Sequence, residues 1–187
     1  LIPSADREII AQISQHENAH VAFLKRALGN AAPEKPTFDF TGAKSTNGGG
    51  PFNAFGDYQT FLALAQAFED TGVRAYKGQA VNLMGSGDTL KAALQIHSVE
   101  ARHASQIRRL RGLKGWITGN ERGTGMPEQT QPVYDGEQNT IHGGVNITTY
   151  TASSGNPGFG SGSYTESFDE PINTATATTI ANLFIVP

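Results

Sequence analysis

The chain has 187 residues, 37% of them hydrophobic, enough for one sizeable domain with room for an appendage. Its formal net charge of -3 gives no electrostatic case for nucleic acid, and no apolar run reaches membrane-spanning length. The absence of cysteine excludes disulfides, thiolate metal sites and cysteine nucleophiles.

The first residue is Leu1 rather than an initiator Met, so a processed, truncated or incompletely represented chain is expected. Residues 4–28 predict the first helix, with Ser4 as N-cap after Pro3 and Gly29-Asn30 as the stop. Its apolar stripe runs through Ile9, Ile10, Ile13, Leu24, Ala27 and Leu28, and Glu17 and His20 interrupt it. Residues 30–56 carry Pro33, Pro36, Gly42 and Gly48-Gly49-Gly50-Pro51. They read as a flexible crossover, with no Gly-Lys-Ser/Thr ending to make a phosphate loop.

A second helix is predicted over 57–83, with Leu62, Ala65, Glu69, Tyr76 and Leu83 along one side. Gly72 and Gly78 lower its propensity, but a small residue such as Gly72 can admit a close neighbour. The short link 84–87 predicts an antiparallel third helix over 88–113, with Asp88 as N-cap. Its stripe is Leu90, Ala93, Leu94, His97, Glu100, His103, Ala104, Ile107 and Leu110. The basic cluster over 102–114 complements the helix dipole and reads as a solvated face. Beyond residue 113 Gly, Thr, Ser, Asn and Pro dominate, which divides the chain into a helical domain (1–113) and an irregular extension (114–187). Within the extension, 151–164 is of low complexity and 145–150 reads as a short strand. Residues 175–186 fit either a strand or an amphipathic helix, whose apolar end is expected to dock on the bundle or on another chain.

The candidate chemistry lies on the helical stripes. Glu17-Asn18-Ala19-His20 and Glu100-Ala101-Arg102-His103 both read Glu-x-x-His, and Glu69 sits in phase on the helix between them. Positions i and i+3 share a helix face, so each Glu points with its His. Burying such groups on a core seam needs compensation, and a pair of metal ions supplies it for two copies of the motif. Glu17, His20, Glu69, Glu100 and His103 are therefore the candidate ligands, with Glu69 terminal and the paired carboxylates bridging. Oxygen and imidazole donors suit iron or manganese.

The same residues admit other readings. The five can be partly exposed surface groups. His16-Glu17-Asn18-Ala19-His20 also matches the His-Glu-x-x-His signature of zinc proteases, but Val99 stands where a second His16 would be, and Glu69, Glu100 and His103 stay unexplained. His97 fits either a group supporting the ligands or an interior histidine, Tyr76 either a site residue or a core tyrosine, and Asp70, about 100° around the helix from Glu69, the surface. Asn146-Ile147-Thr148 is a glycosylation sequon by pattern alone.

The stretches at 16–24, 68–76 and 99–103, in that order, resemble the ferritin-like superfamily, and more closely its bacterial ferritin-like domain and desiccation-related proteins. Residues 168–171, followed by 180–185, are similar to the closing segment of some members. The resemblance implies a mainly α, ferritin-like helical bundle of which three long helices are visible. The family's first helix and its glutamate are absent, so five of six family ligands are accounted for. Either the given sequence is incomplete at its N-terminus, or an exposed apolar groove results that the tail or a neighbouring subunit fills. The resemblance also implies ferroxidase-like or catalase-like activity with oxygen or peroxide at a dinuclear iron or manganese site. The alternative is an exported structural, assembly-forming or stress-protective protein with a vestigial or stabilising metal site, its tail joining neighbours by strand addition. Cage-type iron storage fits the long loop and tail poorly. The tail composition leads us to expect export to the periplasm or the exterior, and metal ions and further copies of the chain as partners, with no membrane span.

Overall fold

The computed structural model describes residues 1–45, 50–150, 160 and 162–187. Gly48, Gly49 and most of the low-complexity stretch at 151–164 lie outside the described residues. The protein is mainly helical. Three long helices, α1 (Arg7–Leu28), α2 (Tyr58–Gln79) and α3 (Gly87–Leu110), form the bundle. The short helices α4 (Ser163–Glu166) and α5 (Thr174–Ala181) and the two-residue strands β1 (Ile141–His142) and β2 (Val145–Asn146) belong to the extension.

The helix ends follow local chemistry. The Asp57 carboxylate accepts a hydrogen bond from the Thr60 amide at 2.6 Å and caps α2. The first helix starts at Arg7, later than Ser4 predicts, because a turn over residues 3–6 precedes it and the Asp6 carboxylate accepts from the Tyr58 hydroxyl instead. Asp88 lies inside the first turn of α3 rather than at its cap, where it meets the positive end of the dipole. In the extension, β1 and β2 form a hairpin across Gly143 and Gly144, both with positive φ, as a tight two-residue turn requires. The strand expected over 145–150 stops after two residues, because Asn146 Oδ1 accepts from the Thr148 amide and folds 147–149 into a 3₁₀ turn. The ambiguous 175–186 segment divides. Thr174–Ala181 is helical, and Ile185 makes a β-bridge with Phe38 of the crossover.

Contacts between α2 and α3 run in opposite chain directions, Gln66 with Arg111, Asp70 with Arg108 and Glu69 with His103, which makes the pair antiparallel. α2 is the centre of the molecule. One side meets α3; the others carry two apolar clusters. Ala63 and Ala67 pack with Ile117, Met126, Val133, Tyr134, Ile172 and Ile180 of the extension. Leu64 packs with Phe52, Leu183 and Phe184. The tail therefore docks on its own bundle.

Two readings change here. Asp70 is not on the surface: it is 2% exposed, and Arg108 grips it with two hydrogen bonds of 2.6 and 2.5 Å. The Tyr134 hydroxyl donates to the same carboxylate at 2.8 Å. The basic cluster is correspondingly not wholly solvated, since Arg108 is buried and Arg111 reaches Gln66. The extension covers this side of α2, so the two charges lose water and compensate each other. Arg74 is likewise buried, bonded to the Glu137 carboxylate at 2.7 Å and to the carbonyls of Val133, Asp135 and Glu170.

The expected groove is present. Phe23, Leu24 and Leu28 of α1, Tyr76 of α2, and Ala93 and Ile96 of α3 line an open apolar cavity of about 700 Å³. The tail does not fill it, since its buried residues lie against other faces of α2. No residue of α1 is fully buried.

Removing one partner of the Asp70–Arg108 pair leaves an uncompensated buried charge, so Arg108→Ala should cost about 3–5 kcal/mol in chemical denaturation. A Cβ at Gly78 would fall 1.9 Å from the Ile172 carbonyl oxygen. Gly78→Ala should therefore detach the extension from α2, read as faster proteolysis beyond residue 113 with α2 helicity kept.

Candidate metal centre

The two Glu-x-x-His pairs face each other across α1 and α3, and α2 adds Glu69 from the side. Glu17, Glu69, Glu100 and His103 each bring one ligand atom into a group whose members all lie within 4.8 Å of one another. His103 Nδ1 is the hub, 3.0 Å from Glu17 Oε1, 3.3 Å from Glu69 Oε2 and 3.4 Å from Glu100 Oε2. His20 Nδ1 lies 3.2 Å from Glu100 Oε1 and 3.5 Å from Glu17 Oε1. All five candidates thus converge, with His20 at the edge of the group. Gly72 of α2 lies opposite Glu100, where a Cβ would sit 3.5 Å from the Glu100 side chain, an ordinary van der Waals contact.

Burial is uneven. Glu100, His103 and Glu69 are covered, whereas the Glu17 side chain is 41% exposed. The expectation that all five lie in the core fails at Glu17, because α1 packs on the bundle by one edge.

The electrostatics are those of a strained anionic cluster. Burial pushes the Glu69 pKa up to about 7, and the nearby Glu100 and Glu17 charges add to the shift despite opposition from His103. Burial opposes charge on His103, but Glu100, Glu17 and Glu69 outweigh it and push its pKa up to about 11. Glu17 resists burial through its contacts with His103 and His20, and its pKa is lowered.

These contacts are ion pairs without the alignment of full hydrogen bonds. Glu17 Oε1, His20 Nδ1, Glu100 Oε2 and His103 Nδ1 are all buried atoms without a hydrogen-bond partner, although they lie close together. Four buried donor atoms, each within 3.5 Å of another and none with an aligned partner, fit a bound cation, which satisfies carboxylate oxygens and imidazole nitrogens together. The donor set, three carboxylates and two imidazoles without sulfur, suits a divalent metal ion.

The surrounding residues sort themselves. Tyr76 lies near the cluster and on the groove wall, where burial and then the Glu100 and Glu17 charges push its pKa up to about 12. His97 is half-buried; burial and Lys77 hold its pKa down, and Nε2 lacks a partner. His16, outside the repeated motif, nonetheless contacts His103 at 3.0 Å. The zinc-protease pairing does not form, because His16 turns Nδ1 to His103 while His20 faces the glutamates. His16 shares a helix face with His20 at i and i+4, and that spacing is its signal in the sequence.

Residues 1–113 match the family of ferritin-like domains, and the chain belongs to that family. No curated protein and no solved structure gives a match. Among the described residues no helix is long and apolar enough to cross a membrane.

A carboxyl with a raised folded-state pKa adds stability below its unfolded pKa and loses it as pH rises through the folded value. The metal-free protein should therefore weaken between about pH 4.5 and 7 as Glu69 ionises. Glu69→Gln should flatten that part of the pH–stability curve and raise stability at pH 8 by on the order of 2 kcal/mol. Urea midpoints across pH check it.

Proposed function

We propose that Glu17, His20, Glu69, Glu100 and His103 hold two iron or manganese ions and that the protein is an oxidoreductase acting on oxygen or peroxide. The observation that carries this reading is the set of buried atoms without an aligned partner, Glu17 Oε1, His20 Nδ1, Glu100 Oε2 and His103 Nδ1, each within 3.5 Å of another. Bound ions would supply the electrons that the side chains cannot.

The chain's own residues set the terms. Glu17 and Glu100 belong one to each pair, and each lies within reach of both imidazoles, so both carboxylates would hold the metal. Glu69, from a third helix, closes the side facing α2. Glu17, being partly exposed, marks the side from which a small oxidant enters. Tyr76 lies close to Glu100 and Glu17 and lines the apolar groove beside the cluster. The surrounding carboxylates favour the protonated form of His103, so ligation would release a proton there, and Glu69 would release one below about pH 7.

A structural or stress-protective role with a stabilising metal is the second reading. The uncovered groove supports it, because a neighbouring subunit can shield that face. Strand addition through the tail draws no support from the fold, since residues 184–186 already pair with 37–39 of the same chain. Export to the periplasm or exterior remains part of the proposal, on the composition of the extension.

Protons compete with the metal at raised-pKa groups, so affinity should fall as pH falls. Anaerobic calorimetric titration with Fe(II) or Mn(II) should release about one proton per chain at pH 8 and closer to two at pH 6. The loaded protein should then consume oxygen or peroxide. Loaded protein inert toward both would remove the redox reading and leave the structural one.

A further inference from the structure

His103 faces the cluster with Nδ1 alone. Its other nitrogen, Nε2, lies 3.0 Å from Nδ1 of His16, the residue preceding Glu17 on α1. The ring planes differ by 7° and the centroids are 5.2 Å apart. One ring radius at each end plus the nitrogen–nitrogen gap accounts for that separation. The imidazoles therefore lie edge to edge in nearly one plane, not face to face. In this arrangement the lone pair of one nitrogen points along the N–H bond of the other, the geometry of a hydrogen bond.

Only one of the two nitrogens carries the shared hydrogen, and the far side of His103 decides which. A ligating Nδ1 must present its lone pair, so a neutral His103 keeps its hydrogen on Nε2. His16 Nδ1 then accepts it, and His16 keeps its own hydrogen on Nε2, on the far edge of its ring. A His16 engaged in this way has no lone pair to offer the cluster.

We propose that His16 is a positioning residue for His103. By accepting the Nε2 hydrogen it fixes the tautomer that exposes Nδ1 and holds the ring plane toward Glu17, Glu69 and Glu100. It also ties α1 to α3 at the level of the cluster, where α1 has no buried residue to hold it. The proposal rests on the metal reading of the cluster and deepens it. His16 is exposed, so its replacement leaves the apolar core untouched.

Cobalt(II) titration, followed by visible absorption, tests the role on the full chain. His16→Ala should weaken cobalt binding roughly 10- to 100-fold and alter the spectrum. His16→Gln, whose amide oxygen can accept the same hydrogen, should recover most of both. In the protein loaded with diamagnetic zinc, nitrogen NMR should place the hydrogen on His103 Nε2 and show coupling across the bond to His16 Nδ1. Unchanged affinity and spectrum in His16→Ala, or His16→Gln as weak as His16→Ala, would overturn the proposal while leaving the metal site standing. A hydrogen found on His16 Nδ1 would overturn it as well. A wild-type protein that takes up no cobalt would remove the metal reading, and this role with it, whatever the NMR pattern.

Discussion

Burying a carboxylate requires something to offset its charge, and α2 meets that requirement in two ways at adjacent residues. Asp70 has a dedicated partner: the Arg108 guanidinium takes both oxygens, and Tyr134 donates to one of them. Glu69 has none of its own. It shares one imidazole, His103, with Glu17 and Glu100, and burial drives its pKa up. The first arrangement is complete without a ligand. The second is short of positive charge, and that shortage distinguishes a site from a structural ion pair.

The completed pair supports the incomplete cluster. Asp70, Arg108 and Tyr134 link α2 to α3 and to the extension, and Arg74 with Glu137 adds a second link from the next turn. These contacts, with the apolar clusters around Ala63 and Leu64, hold α2 from behind. Glu69 is thereby presented toward α1 on a rigid element, as a preorganised site needs. α1 is held differently: no residue of it is buried, and its ties to α3 pass through His16, Glu17 and His20. On that side of the bundle the site is also the packing interface. A cation bound there would join α1 to the rest of the protein, which couples metal binding to stability.

The sequence showed the three long helices, their order and the five converging side chains, because each lies on a stripe with helical period. Polar residues interrupting an apolar stripe were enough to find Glu17, His20, Glu69, Glu100 and His103. Asp70 escapes such a pattern because α2 has two buried stripes: Leu62, Gln66, Asp70 and Arg74 form the second at intervals of four. Nothing local in the Gly- and Thr-rich extension announced that it covers this second face. Close approach through Gly72 was expected; the tighter one is at Gly78, against a carbonyl of the extension, a contact between segments remote in sequence. His16 was set aside because it has no counterpart at Val99. A repeat finds the residues that both copies share and misses a group that serves only one.

The cluster is short of positive charge, and bound metal is the compensation we propose for it. Elemental analysis by mass spectrometry, on protein isolated from its native source beside a Glu17→Ala/Glu100→Ala variant, tests it most directly. About two iron or manganese ions per chain, absent from a folded variant, is the result this account predicts. A native, folded protein without metal would contradict it, as would one zinc per chain that survives the double substitution.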